Sequence, residues 1–347
     1  MADHLQNPWR GRGLDGAGPL PLADAGDVAR LLAQCPAHAP TPLRDAPGLA
    51  AELGVARLWL KDERARMGLG SFKALGAAHA IAHDAATSGA PDLHSALRDR
   101  VYVTASAGNH GLSVAAGARL FGARAVIYLA RTVPASFATR LQDKGAEVIR
   151  AGADYEASMK AAADAAATHG WTLLSDSSWP GYTDLPGRVM EGYLQLAAEV
   201  AAQIDTPPSH ILLQAGVGGL AAAVAAHARL VWGDGPQIIV VEPAAAPALI
   251  DSIRAGRVVE TSGPASCMGR LDCKTPSWIA LNGLARDADV FVTLSEEEAR
   301  RGADLLAAHA LPTTESGGAG VAAVLAGLDL PPTAQVLAIL SEAPQQG

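Results

Sequence analysis

The distribution of apolar residues along the chain changes at residue 57. Before that point the sequence is rich in glycine, proline, alanine and aspartate, and we predict an arm over residues 1–40 with one short helix at 27–35. From residue 57 onward, short apolar runs bounded by turn residues alternate with longer alanine-rich stretches of helical spacing. This alternation is typical of βαβ units, so we predict an α/β fold with largely parallel strands.

The apolar runs define the predicted strands: residues 57–61, 101–106, 125–129, 147–150, 172–175, 210–214, 237–242, 290–294 and 335–340. The stretches between them define the predicted helices: residues 72–85, 112–121, 135–143, 155–169, 185–200, 220–231, 246–255 and 296–308. The last helix opens with a capping box formed by Ser295 and Glu298. An all-α array of the alanine-rich stretches is an alternative, but the short and evenly placed β-branched runs favour strands.

Composition narrows the class of protein. The chain has 347 residues, of which 49% are hydrophobic and 18% charged, as expected for a folded globular protein of one large or two medium domains. A formal charge of -8 disfavours nucleic acid and anionic membranes as partners. Cys35, Cys267 and Cys273 lack CxxC spacing, which argues against a disulfide framework and a structural zinc site. With no apolar leader or membrane span in the sequence, we expect a cytoplasmic protein that binds small molecules.

Lys73 is the most informative of the five lysines in the sequence. It follows Phe72 at the start of a predicted helix of alanine, leucine and glycine, and no acidic residue lies within one turn. Burial and a helix N-terminus both disfavour the ammonium form, and a neutral amine is what imine formation with an aldehyde requires. The alternative is a lysine whose stem lies along an apolar helix face with its charge in water.

Two glycine-containing segments each lie between a predicted strand and a predicted helix. In the first, residues 104–111 (TASAGNHG), the backbone can approach an anion such as a carboxylate. In the second, residues 214–220 (QAGVGGL), the glycine cluster is typical of a phosphate cradle. Taken alone, the first could be a turn with Asn109 and His110 as caps, and the second could reflect close packing of a helix on a strand.

Taken in this order, the three segments resemble the fold type II pyridoxal-phosphate (PLP) enzymes, which include threonine dehydratase, serine racemase and the tryptophan synthase β chain. The resemblance runs from about residue 41 to Ser341. It implies two open, mostly parallel sheets flanked by helices, and PLP as the cofactor. It also implies that Lys73, next to Phe72, carries PLP as a Schiff base and that Asn109 hydrogen-bonds the phenolic oxygen of the cofactor.

The remaining site residues also follow from the resemblance. Ser341 would face the pyridine nitrogen, and Glu315 matches an acid near the cofactor in the dehydratase branch. An alternative for Glu315 is an acid at a helix N-terminus. The implied phosphate loop consists of Gly216, Val217, Gly218, Gly219 and Leu220. The implied loop for the substrate carboxylate consists of Ser106, Ala107, Gly108, Asn109 and His110.

The stretch at residues 175–184 (SDSSWPGYTD) is most similar to diaminopropionate ammonia-lyase. In that branch, an aspartate placed like Asp176 is implicated in proton transfer; the alternative is an exposed loop acid. Ala107 departs from the branch, where this position is an aspartate that serves the D-isomer, whereas serine racemase has a serine. The residues after Ser341 also depart, because the usual Thr-Glu-Gly continuation is missing.

We therefore expect a lyase that acts on a β-substituted L-α-amino acid by α,β-elimination. PLP would lie between a large domain (residues 1–80 and 188–347) and a small one (81–187), and we expect a homodimer. A dehydratase of β-hydroxy amino acids would use the same residues. A β-replacement synthase and a non-catalytic amino-acid or nucleotide-binding module remain further alternatives.

Overall fold

The computed structural model describes residues 3–16 and 18–344. Its strands are β1 (Asp3–Gln6), β2 (Leu43–Asp45), β3 (Arg57–Asp62), β4 (Val101–Ala105), β5 (Arg124–Leu129), β6 (Glu147–Arg150), β7 (Thr172–Leu173), β8 (His210–Gln214), β9 (Gln237–Pro243), β10 (Val290–Leu294) and β11 (Gln335–Leu340). Its α-helices are α1 (Gly26–Leu32), α2 (Pro47–Glu52), α3 (Lys73–Thr87), α4 (Asn109–Leu120), α5 (Ala135–Asp143), α6 (Tyr155–His169), α7 (Asp184–Gln203), α8 (Gly219–Trp232), α9 (Ala248–Ala255), α10 (Trp278–Asp287), α11 (Glu296–Ala308) and α12 (Ala319–Leu325).

The strands form two sheets. The larger has the order β1-β10-β9-β8-β11-β3-β2, in which only the pairings of the edge strands β1 and β2 are antiparallel. The smaller has the order β6-β5-β4-β7, and all of its pairings are parallel. Two open and mostly parallel sheets flanked by helices are what the sequence predicted, so the fold class is confirmed.

The central strands of the large sheet are buried along almost their whole length. In β8 and in β11 every residue after the first is buried. Strands covered by helices on both faces become continuous apolar runs, because neither face meets water. This arrangement explains why the apolar runs were easier to recognise in the sequence than alternating strands would have been.

The nine predicted strands are all present, and the capping box of Ser295 and Glu298 at α11 is confirmed. Some boundaries were wrong: α4 begins at Asn109, three residues before the predicted start, and β7 has two residues where four were predicted. The prediction also missed β1, β2, α2, α10 and α12. The two missed strands have four and three residues, and each pairs with a partner only at a sheet edge.

A buried ionic cluster fixes the chain between β3 and α3. Lys61 donates to Glu199 Oε2 at 2.6 Å, and the Arg66 guanidinium donates to Glu63 and to Glu199. Thr41 Oγ1 donates to Glu63 within the same cluster. Because two cations and two carboxylates bond one another, charges that would be costly to bury alone are compensated. The cluster therefore connects helix α7 with the segment that precedes Lys73.

The two sheets come from different parts of the chain. The large sheet takes its strands from residues 3–62 and 210–340, and the small sheet takes its strands from 101–173. The domain boundaries at residues 80 and 188 stay a prediction. No helix within residues 3–16 and 18–344 is both long and apolar enough to cross a membrane.

Candidate active site

Lys73 is the first residue of α3, and its position is fixed from both sides. Ser71 forms an isolated antiparallel bridge with Glu342, which follows β11. The backbone N–H of Phe72 donates to the carbonyl oxygen of Ser341 at 3.1 Å. The start of α3 is therefore held against the end of the last strand of the large sheet. As a result, two residues more than 260 positions apart in the sequence, Lys73 and Ser341, lie in the same region.

The Lys73 ammonium donates a hydrogen bond to Asp176, although no acidic residue lies within one helical turn of it in the sequence. Burial by itself lowers the pKa of Lys73, but the Asp176 carboxylate more than offsets this, and the pKa is raised. The expectation that burial disfavours the ammonium form is met, but the net direction was wrong because the charge of Asp176 outweighs burial. The reason is that the counter-charge comes from another segment, where a search within one helical turn could not find it.

Asp176 lies between β7 and α7, and its side chain is 16% exposed, so the alternative of an exposed loop acid was wrong. Burial raises the pKa of the Asp176 carboxyl, but the charge of Lys73 outweighs burial and the pKa is lowered. His110 lies close enough to contribute to that lowering. Its own pKa is lowered by burial, and its Nε2 atom is 2.8 Å from the carbonyl oxygen of Leu174. Asp176 is thus an ionised acid next to the amine of Lys73.

The segment between β4 and α4 forms a small anion cradle. Gly108 is the residue before the helix, and its N–H donates to Ser106 Oγ at 3.3 Å. Within the part of the chain that the structure describes, the N–H groups of residues 109–111 have no acceptor. A β-carbon at Gly111 would lie 2.3 Å from the Ser106 carbonyl oxygen, so only glycine fits. Free N–H groups at the positive end of a helix dipole favour a carboxylate here.

A second cradle lies between β8 and α8. Gly218 has φ of +99°, and a β-carbon there would also lie 3.1 Å from Ala280, which explains the glycine. At Gly216 a β-carbon would lie 2.9 Å from Cys273 Sγ. Among the described residues, the N–H groups of residue 216 and of residues 218–220 have no acceptor, whereas the N–H of Val217 is directed at the Cys273 thiol. Residues 218–220 are buried. Buried unpaired N–H groups at a helix N-terminus suit a phosphate.

Tyr193 is a site residue that the sequence analysis missed. It lies on α7, its ring packs edge-on against Phe72 with centroids 4.9 Å apart, and a β-carbon at Gly219 would lie 3.5 Å from the ring. Its hydroxyl is buried and has no hydrogen-bond partner among the described residues. Burial raises the pKa of this phenol well above its usual value, so the group is a donor. No local signal in the sequence marks it, because it reads as one apolar position of an amphipathic helix.

A cavity of about 430 Å³ opens next to the start of α4 and the end of β11. It is lined by Cys267, Gly269, Arg270, Thr313, Thr314, Glu315, Ser316, Glu342 and Pro344. Glu315 therefore lines this cavity, and its place near the cofactor stays a prediction. Because α12 begins only at Ala319, the alternative of a helix N-terminal acid was wrong. Glu342 accepts hydrogen bonds from Asn109 and Thr314. Asn109 is the first residue of α4, and the N-cap is Gly108, so the alternative of Asn109 as a cap was wrong. Arg270 and Glu342 were missed by the sequence analysis.

The arrangement suits PLP. One amine, that of Lys73, lies between two sets of unpaired backbone N–H groups, one for a phosphate and one for a carboxylate. Ser341 is buried at the end of β11, and the amide of Asn109 still has one N–H to donate besides the one directed at Glu342. The buried hydroxyl of Tyr193 needs an acceptor that the described residues do not supply. An anionic and aromatic cofactor would satisfy these groups.

Comparison with known proteins identifies the family of this chain. Residues 35–342 match the family model described as pyridoxal-phosphate-dependent enzyme. The diaminopropionate ammonia-lyase of Salmonella typhimurium is 32% identical over 298 residues, which cover 79% of this chain and 73% of that protein. The L-threonine ammonia-lyase of Thermotoga maritima is 29% identical over 282 residues, which cover 81% of this chain and 65% of that protein.

A solved structure of diaminopropionate ammonia-lyase from Escherichia coli, in complex with an aminoacrylate–PLP azomethine reaction intermediate, superposes with a TM-score of 0.87. The superposition covers 98% of this chain and 93% of that chain at 30% sequence identity. The fold and the family therefore agree in both comparisons, by sequence and by structure.

Proposed function

The chain belongs to the family of pyridoxal-phosphate-dependent enzymes, and on that premise we propose that it catalyses α,β-elimination from a β-substituted L-α-amino acid. The products are a 2-oxo acid and ammonia, and 2,3-diaminopropionate is the model for the substrate. The observation that carries this proposal is the ion pair of Lys73 and Asp176 between two anion cradles. A base next to an acid, with places for a phosphate and a carboxylate, is what this reaction requires.

Four parts of the chain, besides Lys73, would hold the cofactor. When bound to the substrate amine, PLP accepts the electron pair that is left when the Cα–H bond breaks. We assign the phosphate to the N–H groups of residues 216–220, with the hydroxyl of Tyr193 as a further donor. Asn109 would donate to the phenolic oxygen, and Ser341 would face the ring nitrogen. An alcohol at that nitrogen, unlike a carboxylate, does not stabilise a positive charge there.

Lys73 would anchor the cofactor and, when displaced by the substrate, take the proton from Cα. Asp176 keeps the Lys73 amine in place and is positioned to pass a proton to the departing group on Cβ. The loop with Ser106, Gly108 and Asn109 would bind the substrate carboxylate through the start of α4. This orients Cα–H toward the lysine and leaves the opposite face of the substrate to Ala107, which has no acid–base group.

A dehydratase of β-hydroxy amino acids is the second candidate. The similarity to an L-threonine ammonia-lyase supports it, as does the position of Glu315, which matches an acid of the dehydratase branch. In both reactions the same residues remove the Cα proton, and the two differ only in the group that leaves Cβ.

A stoichiometric assay tests the proposal. The holoenzyme is incubated with L-2,3-diaminopropionate, L-serine and L-threonine, and ammonia and 2-oxo acid are both quantified. A β-amine releases two ammonia per 2-oxo acid, and a β-hydroxyl releases one. If products form only when a thiol is added and the thiol is incorporated, the protein is a β-replacement synthase. A protein that stays colourless with PLP and turns over no amino acid would contradict the proposal altogether.

We further propose a cytoplasmic homodimer. The free thiols at Cys35, Cys267 and Cys273 support a cytoplasmic location. A dimer is supported by apolar side chains exposed on the N-terminal arm and at the end of α8: Leu20, Leu22, Leu230 and Val231. Exposed apolar side chains favour association. Light scattering of the purified protein measures the oligomeric state, and a monomeric mass at micromolar concentration would contradict the dimer.

A further inference from the structure

Arg270 lies in the segment between α9 and α10, and its guanidinium has no hydrogen-bond acceptor among the described residues. Its backbone N–H is fixed by Ser316 Oγ at 3.1 Å, whereas its side-chain Nε is buried without a partner. The fully buried guanidinium of Arg66, by contrast, donates to Glu63, to Glu199 and to Thr41. A guanidinium has five N–H donors, and because the Arg270 side chain is 25% exposed and lines the cavity, its terminal nitrogens are open to a ligand there.

The guanidinium of Arg270 lies directly on the carboxylate loop. A β-carbon at Gly108 would come within 2.7 Å of Nη1 of Arg270, so the glycine makes room for the arginine. The side chain also lines the cavity of about 430 Å³, and its charge is close enough to Lys73 to oppose the ammonium there. Arg270 therefore adjoins both the base and the loop that we assign to the substrate.

The acids nearby do not supply the missing acceptor. Glu342 Oε2 forms an ion pair with Arg270 Nε at 3.6 Å, beyond hydrogen-bond distance, and the Glu342 carboxylate already accepts from Asn109 and Thr314. Glu315 lines the same cavity, but its charge acts on Cys267. The donors of Arg270 remain available to a ligand in the cavity.

We propose that Arg270 binds a second carboxylate on the substrate, so that the substrate class is a β-amino or β-hydroxy amino acid with two carboxylates. This inference rests on the proposed function and specifies its substrate. The first carboxylate finds enough donors in the unpaired N–H groups of residues 109–111. The planar fork of a guanidinium matches the two oxygens of a further carboxylate. The charge of Arg270 would favour a β-substituted amino acid with this second carboxylate over one without it.

The reaction balances without any co-reactant other than water. For a β-hydroxy substrate, the Cα–H and Cβ–O bonds break and water leaves. Addition of water to the released enamine tautomer then expels ammonia and gives a 2-oxo dicarboxylic acid. For a β-amino substrate, ammonia leaves in the first stage, so that one water is consumed and two ammonia are formed.

Binding of unreactive amino acids to the holoenzyme tests the second subsite without relying on turnover. L-aspartate and L-alanine have no leaving group on Cβ, and they differ by one carboxylate. Calorimetry should show aspartate binding about 10- to 100-fold more tightly than alanine. In Arg270→Met the ratio of the affinities for aspartate and alanine should fall to near one, because aspartate binding weakens. Arg270→Lys should keep part of the preference for aspartate, because lysine retains the charge but not the planar fork.

Arg300→Met is the matched control, because it removes an exposed arginine from α11 that does not line the cavity. It should keep the aspartate preference of the unmodified protein. Equal weakening of aspartate and alanine in Arg270→Met would assign the arginine to the first carboxylate and overturn the proposal. So would a wild-type preference for alanine. If aspartate is preferred but neither 3-hydroxyaspartate nor 2,3-diaminosuccinate is turned over, the result contradicts the proposed elimination of these substrates. It still supports a carboxylate subsite at Arg270.

Discussion

The ammonium of Lys73 donates a hydrogen bond to the carboxylate of Asp176, although 103 positions separate the two residues in the sequence. Lys73 begins α3, whose start is held against the end of β11 in the large sheet, whereas Asp176 follows the last strand of the small sheet. The pair therefore joins the two halves of the site. It also sets the charge of both groups, because each partner favours the ionised form of the other.

Lys73→Ala should abolish turnover and covalent attachment of PLP. Lys61 cannot replace it, because its side chain is fully buried and bonded to Glu199. Borohydride reduction followed by peptide mapping checks this, with the exposed Lys160→Ala as a control that should retain the label on Lys73. A label found on any other lysine would contradict the assignment.

Asp176→Asn should shift attachment of PLP to lower pH. The Asp176 carboxylate is what raises the pKa of Lys73 against the opposing effect of burial, so its removal lowers that pKa. The amine must be neutral to attack the aldehyde, and a lower pKa makes it neutral at lower pH. The rate at which apoenzyme takes up PLP is measured as a function of pH in both proteins. An unchanged profile would show that Asp176 does not control the lysine.

Tyr193→Phe should weaken PLP binding by about tenfold, the effect of one lost hydrogen bond to a charged group. Stability of the apoenzyme should not fall, since the hydroxyl has no partner there among the described residues. Calorimetric titration of the apoenzyme with PLP, together with urea unfolding, gives both quantities. Equal PLP affinity in the two proteins would place the phosphate away from Tyr193.

Ala107 leaves one face of the substrate without an acid–base group, so the enzyme should process L-amino acids and be a poor catalyst for D-isomers. Loss of such a group typically costs roughly 10² to 10⁴ in rate. Ala107→Asp should raise turnover of the D-isomer, and kcat/KM for both enantiomers of one substrate measures this. Similar values in the unmodified protein would mean that Asp176 or Ser106 serves the second face.

Glu199→Gln should lower the free energy of unfolding and make that free energy less dependent on pH in the acid range. Burial raises the pKa of Glu199, but Arg66 and Lys61 outweigh burial and lower it to about 2, below the usual 4.5. The stabilisation of about 3 kcal/mol is therefore complete above pH 4.5 and is lost as the pH falls toward 2. Urea unfolding between pH 3 and 7 tests this, with the exposed Glu147→Gln as control. A variant with the same pH dependence as the unmodified protein would rule out Glu199 as its source.

Local patterns in the sequence were sufficient for most elements. Buried parallel strands are continuous apolar runs, and the capping box of Ser295 and Glu298 is a bond between neighbours, so both can be recognised in one stretch of sequence. The same holds for the glycine at 218, whose backbone conformation is a property of its own turn. The edge strands β1 and β2 lacked such a signal, because a strand of three or four residues owes its existence to its distant partner.

The sequence by itself thus determined the α/β class, nine of the strands and the two glycine loops with Lys73 before them. Only the tertiary structure decided that Asp176 meets Lys73, that the hydroxyl of Tyr193 lacks a partner among the described residues and that Arg270 lies on Gly108. The physical reason is the separation along the chain over which each kind of interaction acts. Periodicity and turn chemistry act between neighbours in the chain, whereas a charge or an unpaired donor acts on whatever folding brings within a few ångströms.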